Sequence, residues 1–304
     1  MNTRRHFLKT AALGAAASAL PKFASAAPQA TTGATQFAVF SKHFVGLGYE
    51  ELADALAQAG ITAIEAPVRP KGGSHVDVEK VADELPKLAE ALKKRGIEIA
   101  VLTSGINAVS KEQHTEAVLK TAKSLGIPRY RMDWFPYDFK KPIWSQLDEL
   151  KPKLKELVAF SKEVGVQPCY QNHSGSKNIG ASIWDMDYLM RDYKPEELAW
   201  CFDIMHAHIE GQLSWPIEVN LVHQHIAVAY FKNIRWTAEG HEVAPLGDGV
   251  VKKEYVDMLK SLNWSGPVSL HIEYLKGKTK DPAYVKEAIA ATKRDMEVLK
   301  SWWA

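Results

Sequence analysis

The feature that most constrains the fold is a regular alternation of short apolar runs with longer amphipathic segments from residue 36 onward. Glycine ends several of the helix-like segments, and an apolar run follows it, an order typical of repeated βαβ units and a parallel sheet. The predicted strands are residues 36–42, 61–68, 97–103, 128–134, 166–171, 198–203, 226–233 and 267–274. The predicted helices are residues 50–59, 78–95, 112–125, 145–164, 182–192, 217–223, 251–262 and 282–302.

Eight strands alternating with eight helices predict an α/β fold, a (β/α)8 TIM barrel in a single domain. About 275 residues follow the leader described below, which is within the usual size range of that barrel. The competing fold is an open, doubly wound sheet. It is disfavoured because no glycine-rich phosphate loop follows the first strand, and Gly46-Leu47-Gly48 is too short to be one.

The first residues have the features of an export signal. A twin-arginine pair, Arg4-Arg5, precedes an alanine-rich apolar run and the small-residue cleavage pattern Ala24-Ser25-Ala26. We therefore predict a Tat signal peptide at 1–26, a short linker at 27–35 and the barrel at 36–304. This predicts contact with the Tat translocase during export and a periplasmic location. The run is too short for a permanent membrane anchor.

Charge and cysteine content exclude further classes. Cleavage would remove four basic residues and no acids, which leaves 34 Lys and Arg against 36 Asp and Glu. Without a basic excess to neutralise phosphates, nucleic acid is not the expected substrate. The two cysteines, Cys169 and Cys201, lack the spacing of a zinc pair, and we expect them to be buried free thiols.

Polar side chains end several predicted strands, where a parallel barrel places its catalytic groups. The main clusters are Gln171-Asn172-His173, Asp203 with His206, Tyr230 with Lys232, and His271 with Glu273. Carboxylate, imidazole and amide oxygen ligands suit Mn²⁺ or Mg²⁺. Gln171, Asp203, Glu273 and His271 or a nearby histidine could therefore form one metal site.

Other strand ends allow two interpretations each. Glu65 faces either the barrel mouth or a structural partner. Arg131 shares a face with Arg129 and Asp133, and this face either binds sugar hydroxyls or forms an internal ion pair. Trp134 suits the apolar face of a sugar ring, although rim packing explains it equally well. Trp302 and Trp303, at the end of the last predicted helix, either cover the barrel or meet a neighbouring subunit of a homo-oligomer, and helix packing is the role that we expect.

These motifs together resemble the xylose-isomerase-like sugar phosphate isomerase/epimerase barrels. The resemblance covers residues 36 to about 300 and rests on Ile64-Glu65, Gln171-Asn172-His173, Asp203-x-x-His206, Lys232, Pro245-Leu246-Gly247-Asp248-Gly249 and Glu273. It implies a divalent metal held by Glu, Asp, His and Glu from strands five to eight, and an enediolate formed next to a carbonyl. Gln171 stands where the family usually has Glu, and Tyr230 where it usually has His.

Those two replacements shape the predicted site. Gln171 cannot take a proton, so it cannot be the second base of a symmetric epimerase. The predicted catalytic residues are Glu273, His206 and Lys232. The predicted substrate-binding residues are Glu65, Arg131, Trp134, His173, Tyr230 and His271. The predicted ligands of a divalent metal (Mn, Mg or Co) are Gln171, Asp203 and Glu273.

The sequence thus predicts an exported enzyme that moves a proton next to a carbonyl of a sugar or keto-glycoside, with metal assistance. One alternative is a keto-sugar lyase, dehydratase or hydrolase on the same barrel, which one base serves better. A second is a catalytically reduced barrel that binds a sugar or a protein. A third, an abasic-site endonuclease, is disfavoured by the acidic charge balance expected after cleavage.

Overall fold

The computed structural model describes residues 35–70, 73–277 and 279–304. Its strands are β1 (Phe37–Phe40), β2 (Ala63–Val68), β3 (Glu98–Ser104), β4 (Arg129–Arg131), β5 (Gln167–Gln171), β6 (Ala199–Asp203), β7 (Ile226–Phe231), β8 (Asn233–Thr237), β9 (Gly240–Ala244) and β10 (Val268–Leu270). Its α-helices are α1 (Tyr49–Gln58), α2 (Val81–Lys93), α3 (Thr115–Ser124), α4 (Ile143–Val164), α5 (Trp184–Met190), α6 (Ile204–Gly211), α7 (Trp215–Val222), α8 (Lys253–Ser261) and α9 (Pro282–Trp303).

Eight of the strands close into a parallel barrel. β1 pairs in parallel with both β2 and β10, which joins the first and last barrel strands. The order around the barrel is β1, β2, β3, β4, β5, β6, β7, β10, and helices connect the strands outside it. The predicted (β/α)8 barrel is confirmed. All eight strands end at one face, here called the mouth.

The barrel interior is built mainly from small side chains, with Tyr230 as the one large member. Its inner cluster consists of Ala38, Ala63, Ala100, Val101, Cys169, Ala199, Cys201, Val228 and Tyr230. Alanine and cysteine at these positions leave space above them, which long polar side chains fill toward the mouth. Both cysteines are buried and free, as predicted. The larger apolar cluster lies between the strands and the surrounding helices.

Two elements near the mouth differ from the predicted pattern. Helix α6 begins immediately after β6, because the Asp203 carboxylate accepts hydrogen bonds from the backbone N–H groups of Met205 and His206, at 3.1 and 3.3 Å. After β7, strands β8 and β9 form an antiparallel hairpin, whereas the sequence pattern predicted one strand ending at residue 233. Both elements extend the mouth side of the barrel.

The last helix packs against the barrel through its tryptophans. The Trp303 ring lies edge-on to Phe37 at 5.8 Å and to Phe231 at 5.6 Å between centroids. This agrees with helix packing as the role of the Trp302-Trp303 pair. Within the described residues, no helix combines the length and the apolar character that crossing a membrane requires.

Candidate active site

Side chains from seven elements meet at the mouth in one connected row of alternating charge. We call this row the mouth network, and its members are Glu65, Arg131, Gln171, Asp203, Lys232, Glu273 and Lys42. The structure thus brings together predicted members of all three groups: catalytic, substrate-binding and metal-binding. The carboxyl ends of parallel barrel strands explain the convergence, since successive strands direct side chains of the same parity to the centre.

Glu65 is fully buried at one end of the network. Its carboxylate accepts hydrogen bonds from Thr103 Oγ1, from Ser269 Oγ at 2.8 Å and from His271 Nε2 at 3.0 Å. Burial favours the neutral acid, but the charge and hydrogen bond of His271, with Arg131, outweigh it and lower the pKa of Glu65 to about 2. Glu65 is therefore a fixed internal anion, and the structural partner is the interpretation that the geometry favours.

Gln171 joins Arg131 to Asp203. Arg131 Nη1 donates to Gln171 Oε1 at 2.7 Å, and Gln171 Nε2 donates to Asp203 Oδ2 at 2.7 Å. Arg131 also lies 3.8 Å from the Glu65 carboxylate, an internal ion pair whose acid comes from β2 and not from the face that Arg131 shares with Asp133. The Gln171 amide thus links the Arg131 guanidinium to the Asp203 carboxylate through two hydrogen bonds.

Lys232 lies between two carboxylates. Its Nζ is 3.1 Å from Asp203 Oδ2 and 3.3 Å from Glu273 Oε2, and the residue is only 3% exposed. Burial disfavours the ammonium form, yet Asp203 and Glu273 raise the pKa of Lys232 above its ordinary value. A permanent positive charge therefore sits where strands β6 and β7 and the end of β10 meet.

Glu273 is the network's acid that reaches the open side of the mouth. Its side chain keeps 22% of its surface exposed, whereas Glu65 and Asp203 are fully buried. Lys42, in the short helix Ser41–Phe44 after β1, forms an ion pair with the second carboxylate oxygen of Glu273. Burial raises the pKa of Glu273, but Lys232 and Lys42 outweigh it and hold the pKa well below its usual range.

Three aromatic rings form a wall beside the network. Trp134 lies 4.4 Å from His173, and His173 lies 3.9 Å from His206, between ring centroids. Burial, followed by the Lys232 charge, lowers the pKa of His206 well below its usual range, so the imidazole is neutral at pH 7. His206 Nδ1 contacts Ser174 Oγ at 2.8 Å, and its Nε2 lies 3.7 Å from Asp203 Oδ2.

Several buried polar atoms around the mouth have no protein partner among the described residues. They are His206 Nε2, His271 Nδ1, Tyr230 Oη, Arg131 Nε and Trp134 Nε1. Buried polar groups cost free energy unless they are hydrogen-bonded, so a site with several of them suits a ligand that carries many hydroxyl and carbonyl groups. A sugar is such a ligand.

The predicted metal ligands are not arranged to share a cation. Gln171 turns its amide nitrogen, not its oxygen, toward Asp203, and the Lys232 ammonium lies between Asp203 and Glu273. Tyr230 is fully buried and packs against His271 at 4.5 Å between ring centroids. Within the described residues, no three His, Cys, Asp or Glu side chains are grouped as a metal site would require. The residues present do not fit a divalent metal.

Sequence reasoning missed three residues of the site. Lys42 lies just beyond β1, and Thr103 and Ser269 donate to Glu65 from β3 and β10. A lysine at the end of the first strand was a usable signal, because a cation there faces the same mouth. Thr103 and Ser269 carry no such signal, since hydroxyl residues are common in strands.

Cavities lie at both ends of the barrel. One of about 120 Å³ opens at the mouth beside Arg69, Ser104, Arg131, Asp133 and Trp134. Another, of about 700 Å³, lies at the opposite end, near Gln36, Glu98 and Pro128, and none of the predicted site residues line it. Two of the predicted substrate-binding residues, Arg131 and Trp134, line the smaller cavity.

The fold and this site place the protein among the parallel α/β barrel enzymes, in which polar residues converge at the carboxyl ends of the strands. Residues 53–302 match the family described as xylose isomerase-like TIM barrel, and the chain belongs to that family. Residues 1–21 match the TAT (twin-arginine translocation) pathway signal sequence, which indicates export across a membrane. These leader residues lie outside the described part of the structure, and the boundaries 1–26 and 27–35 stay predictions.

Solved structures with the same fold include proteins of several kinds. The IolI protein with a bound zinc atom has 17% identity and a TM-score of 0.66, over 88% of this chain and 99% of its own. The 3-keto-D-glucoside 4-epimerase from E. coli has 13% identity and a TM-score of 0.62, over 86% and 99%. A probable 3-DHS dehydratase from Bacillus anthracis has 13% identity and a TM-score of 0.63, over 88% and 99%. No curated protein sequence matches significantly.

Proposed function

We propose that this protein is an exported enzyme that moves a proton next to the carbonyl group of a sugar or keto-glycoside, in the periplasm. The observation that carries the proposal is the position of Glu273, an ionised and partly exposed carboxylate held between the ammonium groups of Lys42 and Lys232. Membership of the xylose isomerase-like family and the export signal support it.

In the proposed reaction, Glu273 removes a proton from the carbon next to the carbonyl. The C–H electron pair forms a carbon–carbon double bond, and the carbonyl pair moves to oxygen, where negative charge develops. Lys232 would stabilise that charge, because a fixed cation in a water-poor site lowers the energy of an oxyanion. Arg131 and the wall of Trp134 and His173 would orient the sugar.

The acids of the mouth network, which does not include the exposed Asp133 beside Arg131, favour isomerisation or elimination over epimerisation. Among the three acids of this network, Glu273 is the partly exposed one, and Gln171 cannot accept a proton. One carboxylate returns a proton to the face from which it took it, so it moves hydrogen between neighbouring carbons. In the alternative, a lyase or dehydratase, the enolate expels an oxygen leaving group from the next carbon, and the protonated Glu273 returns its proton to that oxygen.

Hydrogen exchange tests the shared first step whichever product forms. The purified protein is incubated in D₂O with a panel of ketoses and 3-keto-glucosides, and deuterium next to the carbonyl is measured by NMR. We expect exchange with at least one substrate, and a loss of about 10²-fold in Glu273→Gln, the lower end of the range for general base catalysis, because Lys232 and Lys42 reduce the basicity of Glu273.

The matched control is Glu254→Gln, which removes a carboxylate from the surface of α8 and should leave the rate unchanged. Product analysis then separates isomerase from lyase. Sugar binding without exchange in any preparation would contradict the proposal and favour the catalytically reduced, sugar-binding barrel.

A further inference from the structure

We propose that the Lys232 ammonium replaces a divalent metal in this barrel, bridging Asp203 and Glu273 so that the site works without a bound metal ion. The contacts that carry this proposal are the two short ones from Nζ, 3.1 Å to Asp203 and 3.3 Å to Glu273. Two carboxylates that lie close together repel each other unless a cation lies between them. Here the Lys232 ammonium is that cation.

The Asp203 carboxylate has no free position for a metal. Its Oδ1 accepts from the backbone N–H groups of Met205 and His206, and its Oδ2 accepts from Gln171 Nε2 and contacts Lys232 Nζ. An ionised carboxylate offers about four lone-pair positions. Four donors already fill them, and all four belong to the protein.

Gln171 is oriented for this arrangement. Its amide has one donating and one accepting end, and the accepting end is committed to Arg131 at 2.7 Å. The donating end faces Asp203 at 2.7 Å. Hard cations bind oxygen ligands, so an amide nitrogen directed at Asp203 opposes a metal at this point. Reversing the amide would set the NH₂ group against the Arg131 guanidinium.

Charge balance leads to the same conclusion. The mouth network holds three carboxylates, on Glu65, Asp203 and Glu273, and three cations, on Arg131, Lys232 and Lys42. The His271 imidazole, 3.0 Å from Glu65, adds a further positive charge when it is protonated. Buried charges are tolerated when they are paired. A divalent ion would add two uncompensated positive charges to a site that is already balanced.

A lysine can perform the electrostatic part of a metal's role. Its ammonium is a compact point charge, so it can polarise a carbonyl and stabilise the oxyanion, although it cannot bind two substrate oxygens in a fixed geometry as a metal does. This catalytic part rests on the proposed function, whereas the absence of a metal requirement rests on the contacts of Lys232, Asp203 and Gln171.

The decisive measurement uses the unmodified protein and needs no substrate. The purified protein is dialysed against Mn²⁺, Mg²⁺, Co²⁺ or Zn²⁺, and the metal per chain is determined by elemental analysis and by calorimetric titration with Mn²⁺. We expect no stoichiometric binding and no change in the unfolding temperature. One Mn²⁺ per chain that is lost in Glu273→Gln would overturn the proposal, since the metal would then displace Lys232.

A variant that removes the ammonium tests the same idea from the opposite side. Lys232→Met leaves Asp203 and Glu273 without their shared cation, and we expect it to gain Mn²⁺ binding, with unfolding about 5 °C higher in excess Mn²⁺. Lys293→Met, on the exposed side of α9, is the control and should respond like the unmodified protein. If Lys232→Met does not fold, the titration of the unmodified protein still decides.

The outcomes separate this proposal from the previous one. Deuterium exchange that persists after exhaustive chelation supports both proposals. Missing exchange together with missing metal binding contradicts the proposed function and supports the lysine bridge. Exchange that requires Mn²⁺ supports the proposed function and overturns the lysine bridge.

Discussion

Gln171 is the neutral side chain on which the charged groups of the mouth depend. A carboxylate at this position would accept from Arg131 but would repel Asp203, whereas the amide satisfies both neighbours at 2.7 Å. A glutamine at this position therefore affects more than the number of bases. It lets Asp203 lie within a network of protein donors and be neutralised by Lys232.

Glu65 links the network to protein stability through pH. Its pKa in the folded protein is about 2, below the ordinary value of 4.5, chiefly because His271 and Arg131 outweigh burial. A carboxyl group whose pKa is lower in the folded than in the unfolded state stabilises the folded protein at pH values above the unfolded-state pKa. That stabilisation is lost as the pH falls toward the folded-state pKa. Between pH 7 and pH 3, we expect the unfolding free energy of the unmodified protein to fall by about 2 kcal/mol more than that of Glu65→Gln.

Urea unfolding of both proteins at several pH values measures this difference. Glu90→Gln is a suitable control, because Glu90 lies on the exposed face of α2 and forms an ion pair with Lys94 at the surface. A difference between unmodified protein and Glu65→Gln that stays constant from pH 7 to pH 3 would show that Glu65 is not the internal anion described here.

The residues of the site were predictable where a strand end carried them. Asp203, Lys232 and Glu273 were found because polar groups follow apolar runs at the carboxyl ends of strands. Their partners were not predictable from the pattern: which end of Gln171 faces Asp203, or that Lys42 reaches Glu273, depends on distances across the barrel. The expected metal site shows this limit most clearly. The sequence spacing identified Asp203 and Glu273 as candidate ligands, but it did not show that the Lys232 ammonium lies between them.

At the scale of elements, the segment after the β8–β9 hairpin holds the end of β7 in place. Asn233 Nδ2 donates to the carbonyls of Leu246 and Val251, at 2.6 and 2.9 Å, and the Val251 N–H donates to Asn233 Oδ1 at 2.7 Å. Lys232 directly precedes Asn233, so these bonds also fix the backbone that carries the bridging ammonium. The Pro245–Gly249 motif is thereby given a structural role.

Two glycines of that motif should respond differently to alanine. A Cβ on Gly249 would overlap the Asn233 side chain and the Ile234 carbonyl oxygen, whereas the nearest atom to a Cβ on Gly247 is a methyl carbon of Val298 at 3.7 Å. We expect Gly249→Ala to lower the unfolding free energy by about 1–3 kcal/mol and to reduce activity through Lys232. Gly247→Ala is the matched control and should change the unfolding free energy by less than about 0.5 kcal/mol.

Denaturant unfolding and the deuterium-exchange rate provide the two measurements. Equal unfolding free energies for the two alanine variants would contradict the close approach of Gly249 to Asn233. An unchanged exchange rate in a destabilised Gly249→Ala protein would separate the hairpin segment from the position of Lys232.

The order of elements was predictable because apolar runs and helix-ending glycines repeat around the whole barrel. The hairpin and α6 were not. Residues 204–211 begin with an apolar pair directly after a strand, and the signal for a helix there is Asp203 as an N-cap, which the site interpretation had already assigned to a metal. The Asp203 carboxylate therefore both caps the N-terminus of α6 and pairs with Lys232.

At the scale of the whole molecule, the mouth network requires a complete barrel before its charges are paired. Lys42 and Glu273 come from opposite ends of the chain, and they meet only when β1 pairs with β10. The two cysteines are free and buried, so no disulfide has to form outside the cytoplasm. Both observations agree with export of a folded protein.

Export through the twin-arginine route gives the last prediction. Replacing Arg4 and Arg5 with lysine removes the arginine pair but keeps the charge of the leader, so we expect the full-length precursor to stay in the cytoplasm in a folded form. Lys22→Gln, outside the pair, should still be exported, and its processed form should begin at Ala27 because Ala24-Ser25-Ala26 provides the cleavage pattern. Cell fractionation, protease resistance and N-terminal mass spectrometry measure the three quantities. Efficient periplasmic delivery of the double-lysine variant would contradict this route, since a general secretory signal needs no arginine pair.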